Sequence, residues 1–101
     1  MTADITQLEP ARLALSGVLD YQSGPALREA GAKLIRKVEG TQVHLDCAGV
    51  QRSSSVGLSL LLCFMRDAHA CGKQLLITGM PEEMRQIVGV SGLDEILASG
   101  N

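Results

Sequence analysis

The sequence predicts an α/β fold in one domain: a mixed, mainly parallel sheet of about four or five strands, with helices packed mostly on one face. Three observations carry this. Short segments of period-two alternation are interleaved with longer segments of helical spacing, in the order β-β-α-β-α-β-α. The strand-like segments alternate apolar with polar residues instead of running continuously apolar, as strands covered on both faces do, so one sheet face is predicted to be open or thinly covered. Finally, three serines stand directly before the most apolar stretch of the chain, Val50-Gln51-Arg52-Ser53-Ser54-Ser55-Val56-Gly57-Leu58-Ser59-Leu60-Leu61-Leu62-Cys63-Phe64-Met65, which reads as a strand-to-helix junction.

Ile5 to Leu8 and Ala11 to Ser16 read as strands joined at Glu9-Pro10, with Leu13 and Leu15 facing one way and Arg12, Ala14 and Ser16 the other. Gly17-Val18-Leu19-Asp20 leads into a polar turn. Ser23 or Gly24 caps a helix with Pro25 in its first turn; Leu27, Gly31, Leu34, Ile35 and Val38 share a face, Glu29 and Lys33 form an i,i+4 pair, and Gly40 is the expected stop. Thr41 to Cys47 is the next strand, with Val43, Leu45 and Cys47 on one side and Gln42, His44 and Asp46 on the other. After the serine-led helix, Gly72 ends it and Lys73 to Thr78 forms another strand. Pro81-Glu82-Glu83 starts a helix whose inner face is Met84, Ile87 and Val88; Gly89 and Gly92 bracket a bend, and Leu93, Ile96 and Leu97 return the tail to the core. The domain is expected to fill residues 1–101, with its core over about 5–98.

The serine-led helix is apolar nearly all round. Gly57, Leu60, Leu61, Phe64 and Ala68 fall on one face and are the expected core face. Ser55, Leu58, Ser59, Leu62 and Arg66 share another, which reads as a docking surface; burial of the helix on both sides by its own fold is the alternative reading of the same pattern. Hydroxyls at a helix N-terminus also suit a phosphate or a partner's acidic group.

Composition narrows the function. Apolar residues make up 46% of the 101, enough for a packed core, whereas aromatics are 2% and the net charge is -2, so neither a base-stacking platform nor a cationic surface for nucleic acid is predicted. The longest apolar run is too short to span a bilayer and the N-terminus lacks the layout of a signal peptide, which predicts a cytosolic protein without direct membrane insertion. Cys47, Cys63 and Cys71 form no C-x-x-C pair and are expected to be reduced thiols in or near the core. Neither His44 with Cys47 nor His69 with Cys71 has a matching second pair, so no metal is predicted. Gly57-Leu58-Ser59-Leu60-Leu61 lacks the second glycine of a nucleophile elbow, and Gly72-Lys73-Gln74 is no phosphate loop; no catalytic residue and no cofactor are predicted.

The element order, the Leu15-Ser16-Gly17-Val18-Leu19-Asp20 segment, the serine-capped apolar helix and Leu76-Ile77-Thr78-Gly79-Met80 together resemble the STAS domain, the fold of bacterial anti-sigma-factor antagonists, over nearly the whole chain. In that family the junction reads Asp-Ser/Thr-x-Gly-Leu. The resemblance places Ser55 of Ser54-Ser55-Val56-Gly57-Leu58 on the phosphorylatable position, puts Ser54 where the aspartate stands, and sets Asp20 on the Gly-x-Leu-Asp aspartate near that site. Val50-Gln51-Arg52, the Gly57-to-Leu62 run and Thr78-Gly79-Met80 are most similar to MlaB-like STAS subunits of Mla-type phospholipid ABC transporters. That resemblance implies a non-enzymatic cytoplasmic subunit, peripheral to the inner membrane, which binds the ATPase subunit and through it the permease complex, in the service of outer-membrane lipid asymmetry. Ser55 is then a candidate contact, with Ser54, Leu58, Ser59, Leu62, Arg66 and Asp20 as partner-binding residues. The second reading is an anti-sigma factor antagonist whose partner kinase phosphorylates Ser55; an enzyme is a distant third.

Overall fold

The four strands lie side by side in chain order, and every crossover between parallel neighbours carries a helix. The computed structural model describes residues 3–91. The elements are β1 (Asp4–Glu9), β2 (Arg12–Leu19), α1 (Gly24–Lys37), β3 (Gln42–Ser53), α2 (Ser55–Ala70), β4 (Gln74–Thr78) and α3 (Glu82–Ser91). β1 and β2 form an antiparallel hairpin; β2, β3 and β4 are parallel. The predicted order and the mixed, mainly parallel sheet are therefore observed, with four strands among the described residues.

Alternation along the strands sorts the two faces as expected. Leu13, Leu15, Leu19, Val43, Leu45, Cys47 and Leu75 are buried against Leu27, Ile35, Leu61, Phe64 and Met84 of the helices. Cys47 is confined there, and burial, followed by the neighbouring Asp46 charge, pushes its thiol up to about 12. The opposite face keeps a polar lattice set by the register, which aligns Arg12, His44 and Leu76 in one row and Ala14, Asp46 and Thr78 in the next. On it Arg12 Nη2 meets Asp46 Oδ2 at 3.2 Å, and His44 Nε2 lies 2.7 Å from Thr78 Oγ1. The Ala48 N–H first, and then Arg12, hold the Asp46 carboxyl below its ordinary range.

The helices owe their close packing to a missing side chain. A Cβ at Gly31 would lie 2.3 Å from Cε1 of Phe64, so the buried ring of α2 rests directly on the α1 backbone. Arg28 of α1 and Asp67 of α2 add an ion pair across the same contact, and the expected Glu29–Lys33 pair closes at 3.4 Å on the wet side.

Several boundaries differ from the sequence expectation. β2 runs on to Leu19 and β3 to Ser53, because two register shifts, between Ala14 and Ser16 and between Gly17 and Val18, each take up one extra residue on β3 and pairing resumes at Val18↔Arg52 and Leu19↔Ser53. α1 ends before Gly40: Val38 is its cap, Lys73 Nζ donates to the carbonyls of Ile35 (2.7 Å) and Arg36 (3.1 Å), and Gly40, at φ +94°, instead turns the chain into β3. Gly89 makes no bend, since α3 continues through it to Ser91. Met84 and Val88 are buried as expected, while Ile87 is half-buried. Cys71, expected in or near the core, is exposed at the C-cap of α2; Cys63 is half-buried, and all three cysteines are free. The expected return of the tail through Gly92, Leu93, Ile96 and Leu97 lies outside the described residues.

Candidate functional site

The three serines at the β3–α2 junction have three different environments. Ser53 closes β3 and is buried; its Oγ donates to the carbonyl of Ser54 at 2.9 Å and its N–H donates to Glu83 Oε1 at 2.7 Å. Ser54 is the N-cap, with extended backbone: its Oγ accepts the N–H of Val56 at 3.2 Å and donates to the carbonyl of Leu19 at 3.2 Å, which also accepts the Ser54 N–H at 3.0 Å. Ser55 is the first helical residue. It is exposed, and the cap makes no use of its hydroxyl. Gly57 completes the junction, since a Cβ there would fall 2.0 Å from Ser53 Oγ and 3.4 Å from Leu19 Cδ1.

Asp20 lies beside this cap through the chain itself, one residue beyond the carbonyl that Ser54 holds. Its Oδ1 accepts the N–H groups of Gln22 (2.9 Å) and Ser23 (3.0 Å), and the Ser23 N–H is the main cause of its lowered carboxyl pKa. Ser23 occupies the N-cap position of α1 without capping it; its Oγ accepts the Asp20 N–H at 3.0 Å and donates to the carbonyl of Val18 at 2.9 Å. The predicted partner residue Asp20 thus first builds the turn that fixes the N-terminus of α1.

From that junction α2 shows two sides. Gly57, Leu60, Leu61, Phe64 and Ala68 are all buried, as predicted, and Met65 joins them. On the other side Ser55, Ser59 and Arg66 are exposed, whereas Leu58 and Leu62, expected to be exposed, are half-buried and pack in part against the core. The expected docking stripe is therefore a shallow apolar and hydroxyl surface with a cation at its far end. Beside it, between the N-terminal halves of α1 and α2, lies an apolar cup of about 270 Å³, walled by Tyr21, Gly24 and Pro25 on one side and Val56, Ser59 and Cys63 on the other. Among the described residues, no three His, Cys, Asp or Glu side chains gather as metal ligands would. His44 and Cys47 lie on opposite faces of β3, one half-buried on the open side and the other in the core.

The family model described as "Mlab, STAS domain" matches residues 3–98. The chain belongs to the STAS-domain family. Solved structures agree on the fold of this STAS domain. The anti-sigma factor antagonist SpoIIAA in its unphosphorylated form superposes with a TM-score of 0.73 at 18% identity, over 93% of this chain and 84% of that one. An anti-sigma factor antagonist from Mycobacterium paratuberculosis gives 0.70 at 21% identity, over 94% and 80%. The STAS domain of a SulP transporter from Vibrio cholerae gives 0.62 at 17% identity, over 94% and 74%.

Two residues of this STAS site carry no warning in the sequence. Glu83 reads as a first-turn acid of α3, yet its carboxylate reaches back to the junction, accepting the Ser53 N–H and lying 3.5 Å from Arg52 Nε. Thirty positions separate Glu83 from Ser53, and no local pattern encodes the contact. Tyr21 stands in a polar turn and reads as a loop residue; that it is 78% exposed while lining an apolar cup follows only from how α1 and α2 approach each other. Among the described residues, no helix is long and apolar enough to cross a membrane.

Proposed function

We propose that this chain is a non-enzymatic STAS subunit, cytoplasmic and held at the inner membrane by its partner, that binds and regulates or stabilises the ATPase of a Mla-type phospholipid ABC transporter. The observation that carries the reading is the MlaB description of the family model that matches residues 3–98. The outward side of α2 supports it. Ser55 and Ser59 offer free-standing hydroxyls, Leu58 and Leu62 offer apolar area that packing leaves half open, and Arg66 adds a charge, a composition suited to a protein partner.

The second reading, an anti-sigma factor antagonist switched by phosphorylation, draws on one feature, the exposed Ser55 hydroxyl at the first position of α2. The two readings demand different things of that residue. As a contact, Ser55→Ala keeps part of the binding, because one neutral hydrogen bond is worth about 0.5–1.5 kcal/mol. As a switch, the serine must carry phosphate, and the added charge of about -1.5 to -2 units expels the partner.

The deciding experiment is purification of the tagged chain from native membranes, with the ATPase subunit identified by mass spectrometry and the binding reconstituted from the two pure proteins. The transporter reading expects a stoichiometric complex with the ATPase, weakened more than about tenfold by Leu62→Asp, which buries an unpaired carboxylate. It also expects no stoichiometric phosphate on Ser55. A chain that ignores the ATPase and carries one phosphate at Ser55 by intact-mass analysis establishes the antagonist reading instead.

A further inference from the structure

We propose that the partner is anchored by one large apolar side chain seated in the cup between α1 and α2, and that a carboxylate on the same partner segment meets Arg66. This goes beyond the docking stripe foreseen on α2, and it rests on the reading given above, that an ATPase subunit binds this side of the domain.

Size is the first argument. At about 270 Å³ the cup falls below the roughly 300–1,000 Å³ of sites that enclose small metabolites, but it accommodates a single large side chain. Its composition is the second. The chain has one tyrosine and one phenylalanine; Phe64 is fully buried in the core, while Tyr21 stands 78% exposed at the lip of the cup. An aromatic ring held on a turn pinned by Asp20 and Ser23 is rigid, broad and amphipathic, the kind of residue that dominates interface energetics. The floor is fixed as well. A Cβ on Gly24 would come 3.1 Å from Val56 Cγ1, so the two helices touch there and the cup is a preformed concavity.

Charge selects the partner. The chain as a whole is net negative, at -2, but α2 contains a single acid, Asp67, and that one is paired with Arg28 at the cup's far wall. The first turn of α2 holds no acid. Arg66, three positions beyond the cup-lining Cys63, is exposed on the same side of the helix with no acid within ion-pair distance among the described residues, whereas Arg52 before the junction is already paired with Glu83 at 3.5 Å. A cationic, apolar surface on an acidic domain is complementary to an acidic, apolar segment.

Cys63 provides the test, because a free thiol lines the cup while Cys71, also free, sits exposed at the far end of α2. The free chain and its complex with the ATPase subunit are treated with N-ethylmaleimide near neutral pH, and the rate at each cysteine is followed by peptide mass spectrometry. Cys63 alkylation is expected to slow at least about tenfold in the complex, measured against the rate at Cys71. In parallel, Cys63→Trp, which fills the cup, should weaken binding more than about tenfold, and Arg66→Glu should both weaken binding and abolish its decline with added salt. A complex in which Cys63 reacts as fast as in the free chain, or a Cys63 inert in the free chain, overturns the anchor and leaves the functional reading standing. Failure of the wild-type chain to bind the ATPase overturns the functional reading and the anchor with it. Because the footprint uses the wild-type chain, it decides the matter even where Cys63→Trp disturbs folding.

Discussion

Gly57→Ala tests the junction more sharply than any change at the serines themselves. The added methyl would lie 2.0 Å from Ser53 Oγ, far inside the 3.5–4.0 Å of a normal contact, and 3.3 Å from Ser53 Cβ. Ser53 is buried, so its hydroxyl escapes only by rotating away from the Ser54 carbonyl that it now meets at 2.9 Å. Losing that bond and stranding the hydroxyl costs about 1–3 kcal/mol. Replacing glycine by alanine inside a helix returns at most about 1 kcal/mol. The clash wins, for a net loss of about 1 kcal/mol, or a fall in Tm of roughly 5 °C in a domain of this size. Urea unfolding followed by far-ultraviolet circular dichroism is the suitable assay, since the chain has no tryptophan. The control is Ser53→Ala, which removes the offending oxygen; in that background Gly57→Ala should be neutral or mildly stabilising, giving a coupling of about 1–2 kcal/mol between the two sites. Additive effects of the two substitutions would refute the reasoning.

Three further outcomes are expected from the same unfolding assay. Gly31→Ala should destabilise more than Gly57→Ala, costing about 3 kcal/mol, because the Phe64 ring it strikes at 2.3 Å is wholly buried and can give way only by displacing the core around it. Leu61→Ala should cost about 2–5 kcal/mol, whereas Leu62→Ala, at a half-buried position, should cost less than about 1.5 kcal/mol; an exchange of the two would reverse the faces of α2. Asp46 has its folded pKa below the unfolded value near 3.8, so its contribution is present above that value and is lost as the pH falls through the folded pKa; Asp46→Asn should flatten the acid limb of stability against pH, and an unchanged limb would remove Asp46 from the account.

What the sequence encodes locally it announced well. Period-two alternation at Leu13, Leu15, Val43 and Leu45 marks the covered sheet face because a strand side chain has only two directions to choose from. Helical spacing at Gly57, Leu60, Leu61, Phe64 and Ala68 likewise marks the buried side of α2. The failures share one cause, the contribution of elements distant in sequence. Lys73 reads as a strand residue but caps α1; Glu83 reads as a helix-start acid but grips β3 at Ser53; Leu58 and Leu62 read as exposed but are half covered. Cap and turn signals also misplace boundaries when several residues could serve, as with Gly40, where the helix had already been ended by Val38 and Lys73.

The replacement of aspartate by serine at position 54, which the resemblance to anti-sigma-factor antagonists singles out, has a physical consequence for the residue after it. Either side chain caps a helix by accepting an N–H, as Ser54 Oγ does from Val56. Only the hydroxyl also donates, and here it donates to the Leu19 carbonyl at 3.2 Å, where an ionised carboxylate would meet another acceptor. Serine therefore ties α2 to the Asp20 turn through its side chain as well as its backbone. It also leaves the first turn of α2 without a negative charge beside Ser55. The positive end of the helix dipole then meets no acid of its own first turn, the Glu83 carboxylate being held on the Ser53 N–H, and a carboxylate brought by a partner escapes the repulsion that a capping aspartate would add. The chemistry at Ser54 and the cation at Arg66 thus favour the same acidic partner at both ends of one helix face.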